Sequence, residues 1–513
     1  MSLMPVQNTG LVNSVYVEQY VIIGNKVVNL LHIFLVLYIQ DPSRWRYIGD
    51  FRIVNSISSS QRYVYIAGTK GIMRFDNLKE QWETPITPKP FPDSIILIAV
   101  DVGANEVWFV TKTSIGRYNP VFEDYELKDL PYNYAPPCSI GISADYIYLW
   151  NSQQYVRFDK LREDWETVSN LPSEIEWFPK TSPRKYPPLA PYYLTDKLLN
   201  QYEMTCAVED MQYIWVGTHG QGVYRYNKTT YIPESYMLGI PGEKGIAVFK
   251  DKESIWVGTP QEIVKWLPNK GLSVYNVSNA GIYSSLISGL SSQTYLTSMV
   301  GNDDRIWLGS NEGIFQFDKQ SGSWNKIYSE QVNSLTLDGN KLWVGTQNGL
   351  VKLESGITEK IIDNIWVNDV KIHRNEIWVA TSRGILRKVQ NEWTAFDDPD
   401  KILPHGVNRI LFEGNKAYFG TSRQGLVVYE PEKWSRWTYP VHLPGEKILS
   451  IAGDSTELYI GTEAGVAIWD RARNIWMRYD SNNSPIKGKV YSIIPDKETV
   501  YFSTENGMVE FKK

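Results

Sequence analysis

Histidine and cysteine are scarce in this chain, with five and two residues among 513. His32, His219, His373, His405 and His442 form no HExxH or other short ligand pattern, and no metal site is expected. Cys138 and Cys206 fit no zinc or redox spacing; two free thiols and one bridge both remain open. Charged residues are only 21% and the net charge is −5, with Lys and Arg scattered singly, which argues against a nucleic-acid partner. The chain has no G-x-S-x-G elbow, and its one glycine cluster, 217–222, leads into no helical pattern that would hold a phosphate. No catalytic residue and no cofactor is expected. The 57 acidic residues offer many pairs for glycoside chemistry, but no motif marks one.

Long apolar runs are nearly missing too. The one that exists, 27–39 (VVNLLHIFLVLYI), is 13 residues long and follows Lys26. It is short for a membrane span and suits the core of a signal peptide, although Leu37 and Ile39 are poor cleavage residues. Export or membrane anchoring is therefore expected, against a competing reading as a degenerate first repeat.

Aromatics, in contrast, are abundant: 13% of the chain, with 19 Trp and 33 Tyr. They recur in a pattern. YVYIAGTKGIMRFD begins at Tyr63, YIWVGTHGQGVYRYN at Tyr213, RIWLGSNEGIFQFD at Arg305, KLWVGTQNGLVKLE at Lys341 and ELYIGTEAGVAIWD at Glu457, within a series of eleven. Most intervals are 35 to 43 residues, with two longer ones of 67 and 51. In I-W-V-G-T, alternation puts Trp215 and Gly217 on one strand face and Val216 and Thr218 on the other. The large residue packs on a neighbouring unit and the Gly lets that neighbour approach. A polar turn ending in Gly follows, then a returning strand, then an outer strand marked by Trp82, Tyr125, Trp165, Trp324, Trp393, Trp437 or Trp476. A short apolar strand of the Val-Asn-Ser-Leu type precedes each copy. Four strands in about 40 residues is the arithmetic of a propeller blade. The fold expected is all-β, two packed β-propellers totalling about eleven four-stranded blades.

Residues 1–42 form an atypical N-terminal segment. A division into propellers at 43–277 and 278–513 needs the fewest assumptions; the alternative inserts one ring within the other. The last copy has no outer strand after it, while 43–48 (SRWRYI) is an outer strand without a blade. Pairing of 43–48 with 507–512 means a ring closed from both ends of the sequence, and pairing with 263–267 means sequential rings.

The unit W-V-G-T-x-x-G-[LIV]-x-x-[FY], as in 342–353 and 306–317, resembles the two-component regulator propeller repeat across residues 43–513. The resemblance implies an extracytoplasmic sensor or scaffold, commonly of paired propellers, and supplies no catalytic residue. Unlike those regulators, the sequence ends with the last blade, which suggests either a stand-alone propeller or one parted from a signalling half. A periplasmic or cell-surface location is expected, with the cytoplasm as the alternative. The partner is an unidentified small molecule, glycan or protein.

One stretch breaks the rhythm. Residues 171–204 carry six prolines together with Trp177, Arg184, Lys185, Tyr186, Tyr192 and Tyr193. Long loops on rigid scaffolds often bind ligands, and aromatic and basic side chains suit sugars, peptides and carboxylates. The same tyrosines could instead bury against a ring. His219, the single histidine in a blade turn, is a further ligand candidate. A propeller hydrolase or lyase and a structural part of an envelope or secretion assembly are the alternative functions, the latter favoured by any large exposed apolar patch.

Overall fold

The computed structural model describes residues 21–23, 26–28, 44–83, 86, 94–122, 124–178, 182–195, 201–236, 247–252, 254–258, 262–267, 271–276, 295–431, 433–505 and 507–513. Val21–Ile23 and Lys26–Val28 pair as a small antiparallel ribbon. The rest of the apolar run, 29–39, lies outside the described residues.

Eleven antiparallel sheets of four or five strands follow, each built on one copy of the repeat. They are numbered here as blades 1 to 11 in sequence order. Trp215, Trp256, Trp307, Trp343 and Trp378, at the large-residue position of the second strand, are all buried, with at most 8% exposure. The Gly two positions on acts as the sequence pattern requires. A Cβ on Gly345 would come within 2.8 Å of Val367 in the next blade, and one on Gly217 within 2.5 Å of Val54. The Thr that follows is also structural. Thr346 donates its hydroxyl proton to the Gly349 carbonyl at 2.9 Å and accepts from the Asn348 amide at 3.1 Å. Thr381 and Thr462 hold their turns in the same way.

The blades form two compact units, 46–241 and 242–513 with 1–45. In the second unit the inner strands of blades 5 to 11 contact one another in sequence, and that of blade 11, Val490–Pro495, meets that of blade 5, Ala247–Asp251. This is a closed seven-bladed ring. Across its closing interface Lys250 pairs with Asp496 at 2.7 Å, and Trp266 meets Tyr501 edge-on at 5.1 Å. Blade 11 takes its outer strand from Trp45–Ile48, which pairs with Gly507–Lys512. The division at 277/278 thus gives way to one at 241/242, with the smaller unit inserted in the larger. The reason is local: Glu262–Leu267 already has an outer strand of its own, Gly271–Asn276, and leaves no edge for 43–48.

The smaller unit holds blades 1 to 4. Blade 1 contacts blade 2, and blade 2 contacts blade 3, through their inner strands Val54–Ser59, Leu97–Asp101 and Ser139–Ile142. Blade 4 returns to blade 1: Thr205 donates to the Val54 carbonyl at 2.7 Å, Trp215 packs on Phe75 at 5.0 Å, and Arg225 reaches Glu80 at 2.8 Å. Between blades 3 and 4 the chain departs from the repeat. Glu176–Phe178 adds a fifth strand to the inner edge of blade 3, and Tyr193–Thr195 adds one to blade 4.

Candidate functional site

The insertion 171–204 has a packing task. Strand Tyr213–Thr218 of blade 4 turns Trp215 toward blade 1 and presents Ile214 and Val216 on its other face. In a regular ring the preceding blade covers that face. Here Leu189, Tyr186, Tyr192 and Leu194 of the insertion lie on it, beside Met204 and Tyr226. Trp177 does the equivalent for blade 3, lying over Gly141 and meeting the Tyr155 ring at 5.8 Å. Of the four aromatics singled out in this segment, Tyr193 is exposed, at 39%, and Trp177, Tyr186 and Tyr192 are half-buried. Arg184 and Lys185 are exposed on the short helical turn Pro183–Lys185, capped by the Ser182 hydroxyl.

His219 points to a feature that recurs around the seven-bladed ring. Its backbone N–H donates to the Glu203 carbonyl at 2.9 Å, so the first residue of the turn lies against the stretch that enters the inner strand. In the seven-bladed ring the same bond joins Asn311 to Tyr295, Ser382 to Trp366, Ser422 to Gly406, Glu463 to Lys447 and Glu505 to Lys489. Each of these five acceptors immediately precedes its blade's inner strand, so these positions ring one end of the central channel. Gln331 occupies the position in blade 7 and donates to the Tyr295 hydroxyl at 3.1 Å.

The rim is therefore divided. Blades 6 to 8 contribute an uncharged arc, Tyr295, Gln331 and Trp366, with Tyr295 45% and Trp366 42% exposed. Blades 10 and 11 contribute Lys447, Glu463, Lys489 and Glu505. Glu463 accepts backbone N–H bonds from Glu446 and Lys447 at 3.1 and 2.9 Å. Lys489 pairs with Glu505 at 3.3 Å, and the nearby Tyr491 hydroxyl followed by Glu505 holds its ammonium above the usual lysine range. Below the rim, Asn333, Asn368 and Asn408 each donate across to the next blade, to Val367, Val407 and Ile448 carbonyls at 2.8 to 3.0 Å. These bonds occupy inner-edge carbonyls that would otherwise face the channel.

Two histidines and one cysteine are packed away from the rim. His373 stacks on Phe412 at 4.3 Å, and burial followed by the Arg374 charge lowers its pKa. His442 lies between Trp437 and Trp476, at 6.5 and 5.1 Å, and burial lowers its pKa as well. Both cysteines are free; burial pushes the Cys206 thiol up to about 11, away from thiolate reactivity. Among the described residues no group of His, Cys, Asp and Glu is placed to hold a metal ion, and no helix is long and apolar enough to cross a membrane.

No protein-family model matches the chain, and no curated protein matches it. Solved structures do. The extracellular domain of the putative one-component system BT4673 from B. thetaiotaomicron is 14% identical, at a TM-score of 0.42, over 90% of this chain and 69% of that one. PorZ, a surface component of the type-IX secretion system of Porphyromonas gingivalis, is 10% identical at 0.42, over 90% and 74%. The computationally designed Ika8 protein is 12% identical at 0.39, over 61% and 97%. Likeness at this level carries no argument about what this chain binds.

Proposed function

We propose that this chain is a non-catalytic recognition module working outside the cytoplasm, and that it binds an oligosaccharide at the rim of the seven-bladed ring. The observation that carries the reading is the arc of Tyr295, Gln331 and Trp366. Two exposed aromatics, on the rim positions either side of Gln331, give apolar faces for sugar rings, and the amide between them supplies directional hydrogen bonds. The charged arc opposite, with Lys447 exposed, suits a hydroxyl-rich or carboxylated ligand. The likeness of the repeat to sensor propellers and the apolar run at 27–39 support a setting beyond the cytoplasm.

A thermal-shift screen of soluble oligosaccharides and peptides tests this. A specific ligand at a hundred times its Kd stabilises by about 2.7 kcal/mol, a shift of a few degrees. The shift should vanish in a Tyr295→Ala/Trp366→Ala double variant that melts normally without ligand. A shift that survives there but disappears in Tyr193→Ala or Arg184→Ala places the site on the insertion instead. A second reading, a structural part of an envelope or secretion assembly, is favoured by exposed apolar residues at one end of blades 1 to 4.

A further inference from the structure

The rim beside Trp366 carries positive charge that the fold does not use. Arg383 and Arg423 stand at the second residue of the turns between second and third strands in blades 8 and 9, and both are exposed. Neither turn needs the arginine side chain. Thr381 accepts the Arg383 backbone N–H at 3.1 Å; Thr421 accepts that of Gln424 at 2.9 Å and donates to the Gly425 carbonyl at 2.7 Å. Among the described residues no carboxylate pairs with either guanidinium. Arg387, Lys416 and Arg471 of the same ring, in contrast, pair with Glu376, Glu430 and Glu413 at 2.6 to 2.8 Å.

The two turns form one surface because they close on the same residue, Gly406. Its carbonyl accepts the Ser422 amide at 3.1 Å. A Cβ placed on Gly406 would lie 3.1 Å from Ser422 Oγ and 3.3 Å from the Ser382 carbonyl oxygen, so the residues preceding Arg423 and Arg383 flank one point. His405, exposed, precedes Gly406, and a Cβ on Gly384, the residue after Arg383, would lie 3.4 Å from Pro404 Cα. Trp366 joins this surface, since its carbonyl accepts the Ser382 amide at 3.0 Å. The segments 382–384, 403–406 and 422–425 contain no acidic residue. Beyond them the Gly425 amide donates to the Glu446 carbonyl at 2.9 Å, and the exposed side chains of Glu446 and Lys447 offset each other.

We propose that the ligand of the rim is an acidic oligosaccharide, with one sugar ring on Trp366 and its anionic oxygens held by Arg383 and Arg423. This rests on the rim reading and adds the ligand's charge to it. Two guanidinium groups brought together without a counter-ion attract an anion, and each presents a planar pair of N–H donors that meets two oxygens at once. A carboxylate and a sulfate ester share that chemistry. The threonine hydroxyls fix both turns before binding, so little beyond the arginine side chains has to be ordered.

Isothermal titration calorimetry of the full chain against two matched pairs tests the proposal: hexagalacturonate with its methyl ester, and a sulfated galactan hexamer with its desulfated form. The wild type should bind the acidic member of at least one pair about tenfold more tightly, the first pair reporting a carboxylate and the second a sulfate. Arg383→Gln/Arg423→Gln should remove the preference, and Lys416→Gln should keep it. If the double variant melts early, Arg423→Gln alone carries the test, with a reduced preference expected. Trp366→Ala should weaken binding of both members. A preference absent from both pairs, or one that survives the loss of both arginines, overturns the inference and leaves the rim reading standing. Wild-type binding by Trp366→Ala overturns the rim reading even where the arginines still matter. Binding of none of the four sugars overturns the inference.

Discussion

Trp45 packs on Phe511 with ring centroids 4.5 Å apart, bringing together residues from opposite ends of the sequence. Next to them, Arg44 Nε donates to the Lys512 carbonyl at 2.9 Å, and the Arg44 guanidinium lies 4.4 Å over the Phe511 ring. Trp45 is 8% exposed. Replacing it with Ala should destabilise the chain by about 3–5 kcal/mol, as for other buried tryptophans, read by urea denaturation. Deleting residues 1–48 should strip blade 11 of its outer strand and leave an open sheet edge, so the truncated chain should aggregate. A soluble truncation with wild-type stability would mean that this strand does not close the ring.

Gly345 and Thr346 make a paired prediction about how blades approach. Gly345→Ala forces a methyl against Val367 and the Ser334 hydroxyl, and should cost about 1–3 kcal/mol. Thr346→Val keeps the volume and deletes the turn's hydroxyl bonds to Gly349 and Asn348, leaving buried groups unpaired at a cost of about 1–3 kcal/mol. Chemical denaturation of both variants reads the costs. A neutral Gly345→Ala would mean the blades have slack at this contact.

Asp454 gives the fold an acid limit. Burial works against its charge, but the Lys513 ammonium at 2.6 Å and the Thr456 and Glu457 backbone N–H groups outweigh it, holding the carboxyl below the usual range. Its folded pKa is depressed, so its contribution is full above the unfolded value of about 3.9 and is lost as the pH falls below that. Asp454→Asn should therefore be less stable than the wild type at pH 7, and the gap should narrow below about pH 4. Thermal melts across pH 2–7 measure it; a gap independent of pH would remove the ion pair from the account.

Tyr192 and Tyr193 should behave differently although adjacent. Tyr192 packs beside Leu189 and Met204, so Tyr192→Ala should lose part of the roughly 3–5 kcal/mol of a fully buried aromatic. Tyr193→Ala should stay within about 0.5 kcal/mol of the wild type. Equal effects in denaturant would mean that the insertion does not cover blade 4.

The blades were legible because a two-residue alternation, repeated eleven times, overdetermines each strand; Trp215 and Trp343 are buried where the register puts them. The closing strand was legible as an outer strand without a blade, but not its partner, since 263–267 and 507–512 share one pattern. What decided was that Gly271–Asn276 already occupies the edge of blade 5. The insertion was recognisable by its prolines, yet its packing depends on Ile214 and Val216 lacking a neighbouring blade, which a local pattern does not reveal. The rim was missed because Tyr295 and Trp366 stand in connections of unequal length. The signal available was the residue immediately before each Val-Asn-Ser-like strand: Gln331, Trp366 and Gly406 in consecutive blades.

The central claim, recognition without chemistry at the rim of the seven-bladed ring, is tested most directly by calorimetric titration of wild type and Trp366→Ala with the best oligosaccharide from the screen, followed by mass analysis of the recovered sugar. The account predicts saturable binding by the wild type, at least tenfold weaker binding by the variant, which is about 1.4 kcal/mol, and a sugar recovered intact. Equal affinities, or a cleaved sugar, would contradict it.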